Sequence, residues 1–370
     1  MANLYIIISA FVSAVILGRI IIPNILIISL RKRLFDVPDE RKVHKRPIPR
    51  LGGVTFFPVI LFSLCVFTAV RLMTGHGPAD TSTTDLVCEF LFLTGGLTLL
   101  YIVGIADDLI GVRYRKKFLV QIISAAMFPL SGLYINNFYG LFGIYLIPAE
   151  VGIPLTMLLV VFITNAINLI DGIDGLASGL SMVALLVFGV LFVHFRMWSY
   201  AMLAVVTVGV VIPFFSYNVV GSADLGRKIF MGDTGSLTLG YILSFFVIKY
   251  CMYEPDMLLT MKTSPVLVSF SVLMVPCLDV IRVVLRRARN KRSLFMPDKT
   301  HIHHKFLAMG FSPRRALVTI QLMSACFCAF TIVAILYMNN TLVFVIDVVV
   351  WTLLNLWFDH VINRKAKNGE

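Results

Sequence analysis

Long runs of apolar residues, separated by short polar segments, dominate the pattern of the chain. A helix needs about 20 apolar residues to cross about 30 Å of hydrocarbon at 1.5 Å per residue. Eleven runs approach this length, and each predicts a transmembrane helix. The runs cover residues 4–30, 51–73, 86–106, 118–135, 151–170, 176–195, 198–217, 237–253, 266–285, 317–338 and 342–357. The pattern therefore predicts an all-α polytopic membrane protein in which residues 1–370 form a single integral membrane domain.

The composition supports lipid as the main solvent of the chain. Of the 370 residues, 58% are hydrophobic and 14% are charged, so the apolar share is above, and the charged share below, those of soluble globular proteins. The first run has no basic residue ahead of it and no small-residue cleavage site, so we expect a retained span instead of a signal peptide. The six cysteines lie within the runs or at their ends, which indicates packing roles and neither a disulfide framework nor a zinc ribbon.

The distribution of the 32 lysine and arginine residues predicts the orientation of the chain. Short cytoplasmic loops retain positive charge, whereas translocated loops carry little. Basic residues crowd the segments after the first, third, seventh and ninth runs and the C-terminal tail, while the alternate loops hold chiefly Arg196 and Lys262. We therefore expect the N-terminus outside and the C-terminus in the cytoplasm. This topology and contact with anionic headgroups account for the net charge of +12, so nucleic-acid binding is not expected.

Five polar segments fall on the predicted cytoplasmic side, where they would form one site. The first, residues 44–53, is a basic loop with two prolines and a glycine pair that permits close backbone approach; the alternative is an ordinary topological loop. The second contains Asp107 and Asp108 at the end of the third run. Adjacent carboxylates repel each other at a membrane interface unless a cation or a proton relieves the repulsion. Two solvated interfacial aspartates are the alternative for this segment.

The third and fourth segments carry oxygen donors of the kind that bind Mg²⁺. In residues 165–175, polar side chains recur at every third position, which places Asn168, Asp171 and Asp174 on one broad helical face. Residues 227–236 combine Asp233 with glycine, threonine and serine at the start of a helix. Such a start offers free backbone amides and a carboxylate to a phosphate and its metal. An ordinary helix cap would account for Asp233 alone, but not for this combination.

Three histidines, His301, His303 and His304, mark the fifth segment. They can form a phosphate clamp, a zinc site or a metal-free polar turn. Zinc is the weakest of these interpretations, because the acidic neighbours are hard oxygen donors and no cysteine lies nearby.

Together these segments resemble the polyprenyl-phosphate N-acetylhexosamine-1-phosphate transferase family over residues 41–316, about three quarters of the chain. The resemblance rests on five motifs in the family's order. They are residues 49–53, the pair Asp107 and Asp108, residues 165–175, residues 230–236 and residues 301–304. Within the family, the chain is most similar to the branch that transfers N-acetylglucosamine-1-phosphate to undecaprenyl phosphate. The peptidoglycan branch usually has a lysine three residues after its aspartate pair, where this chain has Gly111.

The resemblance implies transfer of N-acetylhexosamine-1-phosphate from a UDP donor to undecaprenyl phosphate, with release of UMP. It also implies an enzyme of the bacterial inner membrane that starts a lipid-linked surface glycan such as the O-antigen of lipopolysaccharide. An anionic nucleophile must meet an anionic diphosphate, so a divalent cation, Mg²⁺ or alternatively Mn²⁺, and basic groups are needed to offset the repulsion. The expected partners are the UDP-sugar, undecaprenyl phosphate and membrane lipids, and a homodimer is compatible with the sequence.

The resemblance also implies roles for individual residues. Asp107, Asp108 and Asp233 are the expected catalytic residues, with the aspartate pair near the attacking phosphate and either member available as a base. Asn168 and Asp233 are expected to hold the metal. The remaining substrate contacts fall into three sets. The uridine would be bound by Asp171, Asp174, Asn218 and Phe230, the donor phosphates and sugar by His301, His303 and His304, and the lipid phosphate by Lys45, Lys116 and Lys117.

Two other classes of membrane protein also combine many spans with polar residues. A secondary transporter would have its site near the bilayer midplane on interrupted helices, often in repeated halves, whereas the carboxylates here gather at one interface. Asp347, inside the last run, departs from this placement, and the sequence indicates only a buried polar contact for it. CDP-alcohol phosphatidyltransferases use paired Asp-Gly signatures, but the Ala-Arg that normally follows the first is missing after Gly172 and Gly175. The transferase is therefore preferred, with its active site in cytoplasmic loops.

Overall fold

A computed structural model describes residues 1–36, 48–77, 83–252, 264–291 and 300–368 of the protein. Most of this part of the chain is helical, as the apolar runs predict. The helices, in chain order, are α1 (Ala2–Arg31), α2 (Phe56–Met73), α3 (Thr83–Ile110), α4 (Tyr114–Leu130), α5 (Ala149–Ile170), α6 (Leu176–His194), α7 (Trp198–Phe215), α8 (Gly232–Cys251), α9 (Pro265–Arg289), α10 (Ile302–Ala308), α11 (Pro313–Ala334) and α12 (Asn340–Asn368). A 3₁₀ turn, Gly52–Thr55, precedes α2, and a π-helical turn, Ser216–Val220, follows α7.

Ten helical segments within the described residues are long and apolar enough to cross a membrane, which confirms a multi-pass α-helical membrane protein. The sequence predicted eleven spans, and the difference is the run 118–135. This run contributes to α4, a helix of 17 residues, which is about 25 Å long at 1.5 Å per residue and therefore shorter than the hydrocarbon core. The helix ends at Leu130 because Gly132, with a φ of 85°, turns the chain toward a hairpin.

Two small antiparallel sheets lie between the helices, and the sequence analysis did not predict them. Strand β1 (Phe35–Asp36) pairs with β2 (Ile48–Pro49), and β3 (Asn137–Leu141) pairs with β4 (Ile144–Leu146). Such short strands carry too little alternation of apolar and polar residues to be recognised from sequence. Strand β2 matters for the site, because it leads into the glycine pair beside the N-terminus of α8.

Helix α8 is the centre of the bundle. It is the least apolar of the candidate spans, with a mean hydropathy of 1.2, yet its whole 18-residue window is buried inside the protein. Polar side chains such as Ser236, Thr238 and Lys249 are therefore surrounded by other helices instead of lipid. The predicted run started at residue 237, whereas the helix begins at Gly232. The prediction missed the first turn, residues 232–236, because its polar residues lower the hydropathy on which the prediction depended.

Glycines allow the N-terminal half of α8 to approach its neighbours closely. A Cβ atom at Gly104 of α3 would lie 2.6 Å from the Cα atom of Thr234. A Cβ atom at Gly53 would lie 2.2 Å from the Cα atom and the backbone nitrogen of Gly235. Small residues permit such close crossings between membrane helices. The start of α8 is thereby packed against α3 and against the segment that precedes α2.

The opposite end of α8 is held by a buried ion pair. Nζ of Lys249 lies 3.1 Å from Oε1 of Glu89 in α3, and the hydroxyl of Tyr200 in α7 donates a hydrogen bond of 2.5 Å to Oε2. Nζ of Lys249 also lies 5.2 Å from the centre of the Tyr200 ring. Glu89 belongs to the predicted run 86–106, so ionisable groups occur inside the spans as well as at their ends.

Asp347 of α12 forms the buried polar contact that the sequence indicated. Its side chain is fully buried, and Oδ2 accepts a hydrogen bond of 2.8 Å from the hydroxyl of Thr331 in α11. The contact joins the last two long helices of the chain.

Candidate active site

The N-terminus of α8 receives a carboxylate from the end of α3. Oδ1 of Asp108 accepts a hydrogen bond of 2.8 Å from the backbone amide of Asp233, and Oδ2 accepts from the amide and the hydroxyl of Thr234 at 3.0 and 2.6 Å. The first amides of a helix lack partners within the helix, and the helix dipole favours a negative charge beside them. Asp108 therefore caps α8 from a neighbouring helix. The expectation that these amides are free to bind a phosphate is wrong, because Asp108 already occupies them.

The cap fits because position 232 has no side chain. Gly232 has a φ of 70°, in the left-handed region that favours glycine. A Cβ atom there would lie 2.2 Å from the carbonyl oxygen of Arg50 and 2.5 Å from Oδ2 of Asp108. Any larger residue would push the capping carboxylate away from the helix.

Backbone hydrogen bonds join the motif 49–53 to the turn before α8. The amide of Phe230 donates to the carbonyl of Pro49 at 2.7 Å, and the amide of Gly52 donates to the carbonyl of Phe230 at 2.9 Å. The amide of Gly53 donates to the carbonyl of Met231 at 2.8 Å. Two motifs that are far apart in the sequence thus form one structural unit.

Two carboxylates and an ammonium group meet beside this helix start. Lys117, in the first turn of α4, forms an ion pair with Oδ2 of Asp233, and its Nζ lies 3.6 Å from Oδ2 of Asp107. Asn168 of α5 donates from Nδ2 to Oδ1 of Asp233 at 3.1 Å and to the hydroxyl of Ser236 at 2.8 Å. The side chains of Lys117, Asp107 and Asp233 are 15%, 21% and 17% exposed. The cluster, which we call the carboxylate cleft, is therefore partly open to solvent.

Two opposing effects act on the pKa of Lys117. Burial lowers the pKa of Lys117, while the carboxylate of Asp107 acts in the opposite direction by favouring the ammonium form. Asp107 is itself held by a hydrogen bond of 2.6 Å from the backbone amide of Val112 to Oδ1. The predicted loop after the third run is shorter than expected, because α4 begins at Tyr114 and includes Lys116 and Lys117 in its first turn. Lysine is a good helix former, so a basic segment can be helical.

The cleft has the donor chemistry of a magnesium site. Carboxylate oxygens of Asp107 and Asp233 converge on the cationic group of Lys117, and the amide of Asn168 lies beside them. Within the described residues there is no group of three or more His, Cys, Asp and Glu side chains placed to hold a metal. A metal here would take the two carboxylates, the amide oxygen and further oxygens from substrate or water, as Mg²⁺ commonly does. The residues fit such an ion, and metal binding stays a prediction.

The turn after α5 forms a second polar wall. Asp174 forms an ion pair of 2.5 Å with Lys228, and Asp171 is accessible directly after the last turn of the helix. Desolvation of the carboxyl group by the neighbouring protein, together with the charge of Asp174, raises the pKa of Asp171 above its ordinary value.

Asn218 connects this turn to the segment before α8. Its Oδ1 accepts a hydrogen bond of 2.6 Å from the amide of Gly175, and its Nδ2 donates to the carbonyl of Ile229 at 2.9 Å. The side chain is buried. In the structure, the Asn218 amide joins two backbone segments, and the predicted contact with uridine stays a prediction. Phe230, predicted to stack on uracil, is half-buried next to Ile229.

A buried aspartate that the sequence analysis missed organises the histidine segment. Asp279 of α9 is fully buried, with Oδ2 2.8 Å from Nδ1 of His301. Its Oδ1 accepts hydrogen bonds from the amide of Ile302 at 3.0 Å and from Arg282 at 2.7 Å. Arg282 also donates to the carbonyl of Thr300 at 2.5 Å. The signal in the sequence was an ionisable residue inside an apolar run with an arginine three residues later.

His303 connects the histidine segment to the turn after α5. Its ring is nearly parallel to that of His301, at an angle of 4°, and its centroid lies 4.2 Å from that of His304. A Cβ atom at Gly172 would lie 2.1 Å from Nε2 of His303, so this contact requires glycine. Burial and the two neighbouring histidines lower the pKa of His303 to about 3. The ring is therefore neutral at neutral pH and has one N–H donor.

The structure thus brings most of the predicted site residues into one connected region. Asp107, Asp171 and Asp233 lie at the ends of α3, α5 and α8 and not midway along them, which does not favour the transporter alternative. Lys116 is exposed beside Lys117, and Lys45 lies outside the described residues.

Comparisons with known proteins agree with this assembly of motifs. The sequence profile of glycosyl transferase family 4 matches residues 90–251. The chain is 31% identical over 349 residues to a probable undecaprenyl-phosphate N-acetylglucosaminyl 1-phosphate transferase of Bacillus subtilis, covering 92% of this chain and 89% of the relative. It is 31% identical to a decaprenyl-phosphate N-acetylglucosaminephosphotransferase of Mycolicibacterium smegmatis, covering 80% and 74% of the two chains. It is 30% identical to the undecaprenyl-phosphate alpha-N-acetylglucosaminyl 1-phosphate transferase of Escherichia coli O157:H7, covering 79% and 74%. The chain therefore belongs to the polyprenyl-phosphate N-acetylhexosamine-1-phosphate transferase family, within glycosyl transferase family 4.

Proposed function

We propose that the protein transfers N-acetylglucosamine-1-phosphate from UDP-N-acetylglucosamine to undecaprenyl phosphate, on the cytoplasmic side of the bacterial inner membrane. The observation that carries this proposal is the meeting of Asp107, Lys117, Asn168 and Asp233 beside the start of α8. The names of the relatives support the sugar phosphate and a polyprenyl phosphate acceptor. The product would be the first intermediate of a lipid-linked surface glycan, such as an O-antigen.

In the proposed reaction, an oxygen of the lipid phosphate attacks the β-phosphorus of the UDP-sugar. The bond between this phosphorus and the bridging oxygen breaks, and UMP leaves with that oxygen. A phosphate monoester has a second pKa near 6 and is already ionised at neutral pH. We therefore assign Asp107 to holding cations in the cleft, since no general base is needed.

The charges of the two phosphates are the main obstacle to this reaction. Lys117 supplies one ammonium group next to Asp107 and Asp233, and it would pair with phosphate oxygens in the cleft. Asp107, Asp233 and the amide oxygen of Asn168 would hold Mg²⁺, or Mn²⁺ in its place. The bound ion would offset the negative charge of the diphosphate. Asp108 contributes indirectly, because it fixes the helix start from which Asp233 projects.

The second polar wall would bind the rest of the donor. We assign the uridine to Asp171, Asp174 and Phe230, and the donor phosphates and sugar to the histidine segment. The contact between His303 and Gly172 supports this assignment, because it places the histidine segment beside the turn that would bind the uridine. Asp279 would position the histidines without touching the substrate.

Incubation of the purified protein with undecaprenyl phosphate, Mg²⁺ and a panel of UDP-sugars, with UMP release as the readout, tests the proposal. We expect UMP from UDP-N-acetylglucosamine and a lipid-linked product of matching mass. Release of UMP from a different sugar alone would retain the reaction class and overturn the proposed donor. No UMP from any donor would overturn the transferase proposal.

A further inference from the structure

A cavity of 720 Å³ lies between the C-terminal halves of α9 and α12. It is a separate space from the carboxylate cleft, since Asp107, Lys117, Asp171 and Asp233 are not among the residues that line it. A volume of this size is sufficient for a small organic ligand or for the headgroup region of a lipid. The side chains of the cavity indicate which of these it takes.

The lining is apolar toward the middle of the two helices. Leu278 and Ile281 of α9 and Val348 and Trp351 of α12 contribute to this part. Ile281 is 40% exposed, and it belongs to a span that is long and apolar enough to lie in a membrane. The cavity therefore communicates with the hydrocarbon region beside the protein.

The lining becomes cationic toward the C-terminal ends of the same helices. Arg282, Arg286 and Lys305 contribute three positive charges. Two of them are offset by ion pairs, Arg282 with Asp279 at 2.7 Å and Lys305 with Asp359 at 2.8 Å, which leaves Arg286 as the excess positive charge. The side chain of Arg286 is exposed and forms no hydrogen bond or ion pair with the part of the chain that the structure describes. The excess of positive charge lies at the end of α9 that the basic residues predict to be cytoplasmic, where anionic headgroups would be found.

We propose that this cavity binds an anionic glycerophospholipid of the membrane, with its phosphate at Arg286 and Arg282 and its acyl chains against the apolar lining. The pattern of apolar and cationic walls matches the two parts of such a lipid, and a soluble anion would leave the apolar part unused. Arg282 also donates to Asp279 and to the carbonyl of Thr300. A phosphate at Arg282 would thus stabilise the start of the histidine segment, and the site does not depend on the proposed transferase activity.

The position of the histidine segment favours a resident phospholipid over the acceptor lipid. His304 lines the cavity, while the adjacent His303 contacts Gly172 beside the carboxylate cleft. The segment therefore lies between the two spaces. If a polyprenyl phosphate occupied the cavity, the histidine segment would separate its phosphate from Asp233, where the reaction is proposed to occur.

Quenching of tryptophan fluorescence by brominated lipids can test this site, because Trp351 lines the cavity. The chain contains three tryptophans, and Trp198→Phe with Trp357→Phe would leave Trp351 as the reporter. The protein would be reconstituted in vesicles that contain brominated phosphatidylglycerol or brominated phosphatidylcholine at equal mole fractions. We expect phosphatidylglycerol to bind at least fivefold more strongly, since one nearby cation contributes a preference of roughly fivefold.

The decisive comparison uses two arginines of the same helix. Arg286→Gln should lower the preference for phosphatidylglycerol roughly fivefold, whereas Arg289→Gln, which alters an exposed arginine outside the cavity lining, should leave it unchanged. Equal quenching by the two lipids, or equal losses in the two variants, would overturn the proposal. Relief of quenching by undecaprenyl phosphate at a lower mole fraction than unbrominated phosphatidylglycerol would identify the acceptor as the occupant and contradict our assignment. Relief by millimolar inorganic phosphate would show that the site binds a free anion, and would contradict it equally.

Discussion

Helix α8 has a lysine and carboxylate pair at each end, and the two pairs differ in their surroundings. Near Cys251, Lys249 and Glu89 are 3% and 7% exposed, and Tyr200 provides a third partner. At the other end, Lys117 and Asp233 are 15% and 17% exposed.

The difference shows how the same ion pair can serve stability or chemistry. The Lys249–Glu89 pair is closed to water, so removal of either residue would take a buried counter-charge away from the other. At the Lys117 end, Asp107 and Asp233 share one ammonium group. The excess of negative charge favours the entry of another cation. The comparison predicts large effects on activity at the open end and large effects on stability at the closed end.

Removal of divalent cations should have the largest effect. After EDTA treatment and desalting, we expect UMP release to fall to background, and Mg²⁺ or Mn²⁺ to restore it, because the donors in the cleft are all oxygen. Zn²⁺ is the control, since it prefers nitrogen and sulfur ligands. Full activity after EDTA treatment would contradict the proposed metal site.

Asp233→Asn should lower kcat/KM by about 1000-fold or more, because the change removes a carboxylate that would hold the metal ion at the reacting phosphates. The thermal midpoint should change little, since the carboxylate of Asp233 is partly exposed. Asp224→Asn, which neutralises an exposed aspartate in the segment before α8, is the matched control. A Mg²⁺ titration with near-normal rates for Asp233→Asn would exclude Asp233 from the site.

Glu89→Gln should have the opposite effects, with a large loss of stability and little change in kcat/KM. We expect a loss of about 3 to 5 kcal/mol in the free energy of unfolding, because the buried Lys249 would lose the counter-charge of Glu89. The kcat/KM of the folded fraction should stay close to that of the wild type. Unfolding in a denaturing detergent measures the loss, and the double variant Glu89→Gln and Lys249→Met should regain most of it. A double variant as unstable as Glu89→Gln alone would contradict the role of the ion pair.

The apolar runs predicted the helices well because length and hydropathy are enough to identify a membrane span. They failed at α4, which ends at Leu130 and is too short to span the hydrocarbon core, and at the start of α8, where polar residues are helical in contact with other helices. They also concealed Glu89 and Asp279, since a single ionisable residue hardly changes the average hydropathy of a run. Both of these residues are satisfied by tertiary contacts, which a sequence does not display.

The motifs predicted which segments meet, but not the role of each side chain. Asp107 and Asp108 are neighbours in sequence, and a helix turns by about 100° per residue. Their carboxylates therefore point in different directions, so that Asp107 faces Lys117 and Asp108 caps α8. Asn218 likewise belongs to the predicted site but binds backbone groups. These distinctions depend on distances between segments, which motif order cannot provide.

The smallest effect is expected at His303, which lies away from both ends of α8. Its low pKa makes the ring neutral at neutral pH, and a neutral hydrogen bond contributes about 0.5 to 1.5 kcal/mol, or roughly 2- to 13-fold in kcat/KM. His303→Asn should therefore raise the KM for the UDP-sugar by this factor and leave the KM for undecaprenyl phosphate unchanged.

The same residue predicts a dependence of stability on pH. The pKa of His303 is about 3 in the folded protein and about 6.5 in an unfolded chain, so the unfolded state binds the extra proton between these values. Wild-type stability should consequently fall as the pH decreases from about 6.5 toward 3, and His303→Asn should reduce this decline. Thermal melts at pH 7 and pH 5 for both proteins measure the difference. Equal declines in the two proteins would mean that His303 is already protonated in the folded state, and its effect on kcat/KM should then approach that of a charge-assisted hydrogen bond.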